Sequence, residues 1–216
     1  MTNNIDLQEL ERQAFRSNYE DGLWDMLLGL LLLQMMFGPM LYRAGYSPIL
    51  ILGLLAGFVT IVLIAFKTAK RNIVMPRAGL AHFGAERSRK KKKMSLVYSI
   101  STLVGVVVFA TVIIAYRAAV NQPAIPWASG GLIAIFGLFL VTAVSIFSLL
   151  AYNMDFSRAY VYGWFFGLAF PLNILVDELF GITFPVGSLL FSSIMISIGV
   201  ILFVRFLQTH SIPHPE

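Results

Sequence analysis

The chain has 216 residues, of which 58% are hydrophobic and only 12% are charged, with a formal net charge of +5 and no cysteine. Its mean hydropathy of +0.79 lies far outside the range of soluble domains, in which roughly a quarter of the residues are charged. This composition excludes an ordinary soluble domain. The lack of cysteine also excludes disulfides, thiolate chemistry and cysteine-based metal sites.

Six apolar blocks are each long enough to cross the hydrocarbon core of a bilayer, which takes about 20 residues. They are Leu23–Tyr42, Ile49–Phe66, Leu96–Tyr116, Ala128–Leu150, Ala159–Phe180 and Phe184–Phe206. None alternates as a barrel strand would, and backbone groups in lipid must be satisfied within their own segment. The sequence therefore predicts an all-α polytopic membrane protein with six transmembrane helices.

These helices form one predicted domain at residues 21–208. The polar segment 1–20 carries no cleavable signal, and its partial apolar stripe favours a short helix lying along the membrane surface. Residues 209–216 form a short tail that contains two prolines. Each of these two segments is expected in the same compartment as the basic loop 67–94.

That loop holds ten of the sixteen lysines and arginines, from Lys67 to Lys93. Short loops rich in these residues stay in the cytoplasm. With loop 67–94 inside, fourteen cations lie inside and only Arg43 and Arg117 lie outside. The distribution predicts that both termini are cytoplasmic, and we expect the prokaryotic plasma membrane as the location.

The end of the loop lies directly before the third predicted span, where an anionic leaflet attracts each cation by about 1 kcal/mol. We therefore expect this surface to bind anionic lipid, through Arg87, Arg89, Lys90, Lys91, Lys92 and Lys93. A nucleic-acid partner is not expected, because the run lacks interleaved aromatic residues and any known binding fold.

The stretch YEDGLWDMLLG leads into the first span. Asp21 and Asp25 are four residues apart and are predicted to share a helix face, with Trp24 beside them. In the simpler interpretation, the acids suit a helix N-terminus and the tryptophan anchors the membrane interface. In the functional interpretation, they form a cation or head-group site at the inner membrane surface.

The stretch MPRAGLAHFG follows the second span, and it is a solvated connecting loop in the simpler interpretation. Pro76 is predicted to break any helix that leaves this span, and Gly79 permits a tight turn. In the functional interpretation, the Arg77 side chain faces lipid phosphates.

The DGLWD and PRAG motifs together resemble an uncharacterised family of small prokaryotic integral membrane proteins. In that family a DG-[LI]-W-[DE] start of the first span and a PR-x-G loop after the second follow one another at this spacing. The resemblance covers about the first ninety residues and implies no known activity. It implies that Arg77 closes on an acidic partner and that seven residues belong together, namely Asp21, Gly22, Trp24, Asp25, Pro76, Arg77 and Gly79.

The fifth span combines small and polar residues. Gly163 and Gly167 form a small-xxx-small face that lets a neighbouring helix approach, and Gly53 and Gly57 form a similar face in the second span. Asn173 and Asp177 are candidate ligand groups because polar groups within spans often mark functional sites. The alternative is a packing helix whose acids lie in water at its end.

The sequence contains no HExxH, GxSxG or glycine-rich nucleotide loop, and it has no histidine within any span. We therefore expect no catalytic residue, no cofactor and no bound metal. Two functions stay open. One is a small transporter-like or ligand- or lipid-binding protein, expected to be a homo-oligomer because six helices make half of a usual carrier. The other is a non-catalytic membrane subunit or scaffold whose basic loop docks a cytoplasmic protein.

Overall fold

A computed structural model describes residues 19–78 and 130–210 of the chain. Within these ranges the chain is helical and contains no strand. The helices are α1 (Leu23–Arg43), α2 (Pro48–Ala69), a π-helical turn (Lys70–Val74), α3 (Met75–Ala78), α4 (Gly130–Met154), α5 (Arg158–Phe180) and α6 (Val186–Thr209).

Five of the described helical segments are long and apolar enough to cross a bilayer. They are Leu23–Arg43, Pro48–Arg77, Phe136–Met154, Arg158–Asp177 and Val186–Thr209. These helices indicate an integral membrane protein, as the composition predicts. The predicted span Leu96–Tyr116, the segment 1–18 and the tail 211–216 lie outside the described residues. The sixth helix and the positions of the termini therefore stay predictions.

The chain divides into two compact units, one of Met1–His82 with Leu172–Glu216 and the other of Phe83–Pro171. In the first unit, α1 and α2 form a helical hairpin. Ser47 begins α2 by accepting a hydrogen bond from the Leu50 amide on its side-chain oxygen (3.4 Å), with Pro48 in the first helical position. The hairpin returns the end of α2 to the level at which α1 begins.

Pro76 does not break the helix that leaves α2, contrary to the prediction from its sequence. Helical structure continues through the π-helical turn and α3 as far as Ala78. In the π turn the Met75 amide donates to the Lys70 carbonyl, five residues back. In a regular helix Pro76 would clash with the carbonyl four residues earlier, and it has no amide proton to donate. The wider π turn shifts the hydrogen-bond register directly before Pro76, so the helix continues without this clash.

The most extensive helix–helix contact in the described residues joins α1 to α6. The buried face of α6 includes Ser188, Ser192, Met195 and Gly199, which recur at intervals of three or four residues and so share one side of the helix. Small side chains on this face let α1 approach closely. A Cβ built on Gly29 of α1 would lie only 3.1 Å from the Met195 Cβ.

In the second unit, α4 packs against the first part of α5. A Cβ on Gly163 would lie 2.9 Å from the Phe147 Cβ and 3.2 Å from the Val144 Cα. A Cβ on Gly167 would lie 3.2 Å from the Leu140 Cα. Both glycines thus lie where two helix backbones come close, the arrangement for which the small-xxx-small pattern is known.

Candidate functional site

Asp21 lies just before α1, in a position set by the next residue. Gly22 has a positive φ of 76°, so the helix begins only at Leu23 and Asp21 is not part of the helix face that the sequence predicts. Its Oδ1 accepts a hydrogen bond from the Leu23 amide (3.1 Å), and its Oδ2 accepts one from the Lys70 ammonium of the π turn. Both carboxylate oxygens are therefore held by donors of the protein.

Asp25 lies one helical turn further along, in the first turn of α1. Asp21 and Asp25 are each 0% exposed, and the Lys70 side chain keeps 12% of its exposure. We call Asp21, Asp25 and Lys70 the acid–lysine cluster. Charged groups are rarely buried completely, because moving an ion out of water costs several kcal/mol even when it is paired.

The electrostatics of Asp21 reflect this burial. Burial raises the pKa of the Asp21 carboxyl above its ordinary value, and the neighbouring Asp25 acts in the same direction. The Lys70 ammonium and the Leu23 amide act against the rise, because each favours the ionised carboxylate. The carboxyl therefore holds a proton more readily than an exposed aspartate does.

Aromatic residues that neighbour the cluster in the sequence pack against one another and against α2. The Trp24 ring packs against Phe66 of α2 in an edge-to-face arrangement with centroids 5.0 Å apart, and against Tyr19 at 5.6 Å. The Trp24 indole nitrogen is buried and makes no hydrogen bond to any residue that the structure describes. Burial also raises the pKa of Tyr19 to about 12, so this phenol stays neutral over the physiological range.

Arg77 is not the cation that meets Asp21, contrary to the expectation from the two motifs. Its Nη1 donates to the Ile73 carbonyl one turn earlier (3.1 Å), and its Nε is buried without a hydrogen-bond partner within residues 19–78 and 130–210. Lys70 takes the predicted place instead. The reason is position along the helix. Helical structure continues beyond α2 through the π-helical turn and α3, and this continuation carries Arg77 about two turns past Lys70.

Asn173 forms a two-point contact with the start of α6. Its side-chain nitrogen donates to the Ser188 hydroxyl (2.8 Å), and its side-chain oxygen accepts from the Ser188 amide (3.1 Å). Ser188 is 2% exposed. This candidate ligand group therefore fastens α5 to α6.

Asp177 lies at the end of the first unit opposite to the acid–lysine cluster. Its Oδ2 accepts a hydrogen bond from Arg43 at the end of α1 (2.9 Å), and the same guanidinium donates to the Thr183 carbonyl (2.8 Å). The Arg43 and Asp177 side chains are 53% and 35% exposed. This ion pair is therefore much more exposed than the Asp21–Lys70 pair.

The remaining predicted residues fall into two groups. No described residue lies within 4 Å of a Cβ built on Gly53 or Gly57, so this face of α2 is open within the described ranges. The other group lies outside the described residues and comprises Gly79, Arg87, Arg89, Lys90, Lys91, Lys92 and Lys93.

Sequence reasoning did not identify Lys70 as a site residue and counted it only as a topological charge. The signal that identifies Lys70 is the length of the two helices of the hairpin. α1 has 21 residues and α2 has 22, so the chain returns to its starting level close to Lys70. A lysine at that position is the natural partner for an acid that precedes α1.

Comparison with known proteins adds no assignment. No family model matches the chain, and neither a curated protein nor a solved structure matches it.

Proposed function

We propose that this chain is a small transporter-like membrane protein that binds a small cation at the acid–lysine cluster. The observation that carries the proposal is the complete burial of Asp21 and Asp25, with Asp21 paired to Lys70, at one end of an apolar helical hairpin. Ionisable groups in such surroundings are costly, and in membrane proteins they commonly mark the paths of ions and protons. Carboxylates are groups that attract cations, and for this reason the proposed ligand is a cation.

A second function is favoured by the other candidate residues. Asn173 and Asp177 are both engaged in contacts between helices, which a rigid membrane subunit or scaffold requires and a ligand site does not. In this alternative, the basic loop docks a cytoplasmic protein and the acid–lysine cluster only fastens α1 to α2.

The proposed topology has six transmembrane helices and both termini in the cytoplasm of a prokaryotic cell. It rests on the fourteen-to-two distribution of cations, and the same loop is proposed to bind anionic lipid. Cysteine introduced at position 85 should react only from the cytoplasmic side, and cysteine at position 122 only from outside. The opposite labelling pattern would overturn the layout and move the cluster to the outer surface. The resemblance to the family with the DGLWD and PRAG motifs is also part of this proposal.

The proposed oligomer is supported by the open face of α2 at Gly53 and Gly57. A second copy of the chain would pack against this face, because small residues spaced four apart let two transmembrane helices approach closely. Measurement of the mass of the protein in detergent tests it, and a monomer would end the oligomer proposal.

Transport is tested in liposomes that contain the purified full-length protein and a trapped pH-sensitive dye. A pH gradient is applied in three separate experiments, one without added sodium or potassium, one with sodium and one with potassium. We expect the wild type to dissipate a gradient and Asp21→Asn and Asp25→Asn to lose this activity. Glu20→Gln is the matched control, because it removes the adjacent but exposed carboxylate. A wild-type protein that moves none of these ions would refute cation transport and leave the scaffold function.

A further inference from the structure

We propose that α2 and the π turn hold one anionic phospholipid, whose acyl chain lies in an apolar groove on α2 and whose phosphate lies on Lys67 and Arg71. The inference deepens the lipid binding proposed for loop 67–94, on which it rests, by giving the lipid a defined site. It does not depend on ion transport.

The groove runs along one side of α2 onto the π turn and has a volume of about 500 Å³. Its described lining is apolar near the middle of the bilayer-crossing segment and polar nearer to the end of that segment. Spacings of three and four residues place these side chains on one helix face. This order matches a phospholipid, in which hydrocarbon is followed by ester groups and a phosphate. The lining includes Ile61, Ile64, Ala65, Thr68 and Asn72.

The apolar part of the groove is open to the bilayer. Ile61 and Ile64 are 69% and 61% exposed, so most of this surface is not packed against the described helices. An acyl chain covers such a surface without leaving any polar group unsatisfied, and buried apolar area is one of the two terms that set lipid binding. The other term is attraction between opposite charges.

Lys67 and Arg71 supply that attraction, and we call them the groove cations. They are four residues apart and exposed, and each directly precedes a polar lining residue, Thr68 or Asn72. Neither side chain makes an ion pair or a hydrogen bond within residues 19–78 and 130–210. Two unpaired cations one turn apart, at the end of an apolar groove, are complementary to a lipid phosphate.

The other charged groups at this end leave the groove cations to a ligand. Asp21 is paired with Lys70, and Asp25 is buried in α1. Glu20 is exposed before α1, but it is not paired with either groove cation. Arg77 donates to a carbonyl of its own helix and adds positive charge one turn and a half beyond Arg71. An anion is therefore the ligand that these charges favour.

The test is native mass spectrometry of the full-length protein in detergent, titrated with phosphatidylglycerol and with phosphatidylcholine of the same acyl chains. The first lipid carries a net negative charge and the second carries none. We expect the wild type to bind one phosphatidylglycerol more tightly than phosphatidylcholine. An excess of inorganic phosphate should not displace it, because that anion has no acyl chain for the groove.

The phosphate contact is tested by Lys67→Gln and Arg71→Gln. Each should weaken phosphatidylglycerol binding about fivefold, the ratio that corresponds to about 1 kcal/mol for one cation at a membrane surface. Arg205→Gln is the matched control, because it removes an exposed cation of α6 that does not line the groove. It should leave the affinity unchanged.

The acyl-chain contact is tested by Ala65→Phe, which fills the groove from an exposed position. It should weaken the binding of both lipids. Ala56→Phe is its control, because Ala56 is also exposed on α2 and is not among the lining residues. Since the changed positions are all exposed, the variants should fold as the wild type does.

Equal binding of the two lipids would overturn the proposal, and so would displacement by inorganic phosphate. Unchanged phosphatidylglycerol binding in Lys67→Gln, Arg71→Gln and Ala65→Phe would do the same. If Ala65→Phe instead lowers the number of copies in the complex and leaves lipid binding intact, the groove is an interface between copies and the proposal fails.

A further variant separates this site from the rest of the basic loop, with residues 90–93 changed from lysine to glutamine. We expect it to keep the tightly bound lipid that the groove variants lose. Loss of that lipid in the loop variant alone would refute the groove site and leave the lipid binding of the loop in place. Loss in the groove variants alone supports the groove site and refutes a contribution of the loop.

Discussion

Gly22 and Gly199 touch through their backbones, although 177 positions separate them in the sequence. A Cβ added to Gly22 would lie 2.2 Å from the Gly199 carbonyl oxygen, and a Cβ added to Gly199 would lie 2.8 Å from the Gly22 carbonyl oxygen. The contact holds the start of α1 against α6. It also fixes the turn that places Asp21 in front of Lys70, so the packing of two helices and the position of the candidate site depend on the same glycine.

Gly22→Ala is expected to destabilise the protein strongly. The φ of 76° costs an L-residue about 1 to 2 kcal/mol, and the collision with α6 adds about 1 to 3 kcal/mol. Gly45→Ala is the matched control, because Gly45 also has a positive φ of 85° but no described atom within 4 Å of its added Cβ. Thermal unfolding in detergent measures both variants. Equal losses at the two positions would show that the contact with Gly199 contributes nothing.

The Asp21–Lys70 and Arg43–Asp177 ion pairs should differ in their effect on stability. Lys70→Met leaves Asp21 buried without its ammonium, and breaking a buried pair in this way costs about 3 to 5 kcal/mol. Arg43→Met breaks a pair whose members are 53% and 35% exposed, which costs about 0 to 1 kcal/mol. Unfolding of both variants under the same conditions gives the comparison. A larger loss for Arg43→Met would contradict the assignment of the buried and exposed pairs.

The stability of the protein should fall as the pH rises above about 4. The pKa of Asp21 is raised by folding, so the folded state binds its proton more tightly than the unfolded state does. The stability that this proton contributes is complete below the ordinary aspartate pKa of 3.8 and is lost as the pH passes through the higher folded pKa. The slope is at most about 1.4 kcal/mol per pH unit for one proton. Unfolding as a function of pH should show this component in the wild type and in Glu20→Gln but not in Asp21→Asn.

Gly163→Ala should cost more than Gly167→Ala in the second unit. The added Cβ at Gly163 meets the Cβ of Phe147 and the backbone of Val144, which cannot move without shifting α4. A Cβ at Gly167 also lies 3.2 Å from a backbone atom, the Leu140 Cα, but its shortest contact, 2.5 Å, is to the flexible end of the Leu140 side chain. The difference between the two sites is therefore the Phe147 Cβ at Gly163, which is less free to move than a side-chain end. We expect a loss of about 1 to 3 kcal/mol at Gly163. Gly137→Ala in α4 is the control and should gain up to about 1 kcal/mol, because alanine favours a helix and no described atom lies within 4 Å of the added Cβ. A neutral Gly163→Ala would show that α4 and α5 do not pack this tightly.

The positions of the helices were largely predictable from the sequence. Crossing a bilayer requires a certain length of apolar residues whatever the neighbours are, and the predicted Ala159–Phe180 differs by one residue from the observed Arg158–Phe180. The prediction that Pro76 ends the helix was wrong. Local rules treat proline as a helix breaker, but the π turn before it removes the conflict.

The composition by itself determined that this is a helical membrane protein, because the free energy of transferring apolar residues from water acts on each segment separately. Only the tertiary structure decided which charged residues are buried. The nearly equal lengths of α1 and α2 bring Lys70 to Asp21, and the distant Gly199 leaves room for the turn at Gly22 that orients this carboxylate. Burial depends on contacts between segments far apart in the chain. For this reason Asp21 and Asp25, which the simpler interpretation assigns to a helix N-terminus at the membrane interface, lie wholly inside the protein.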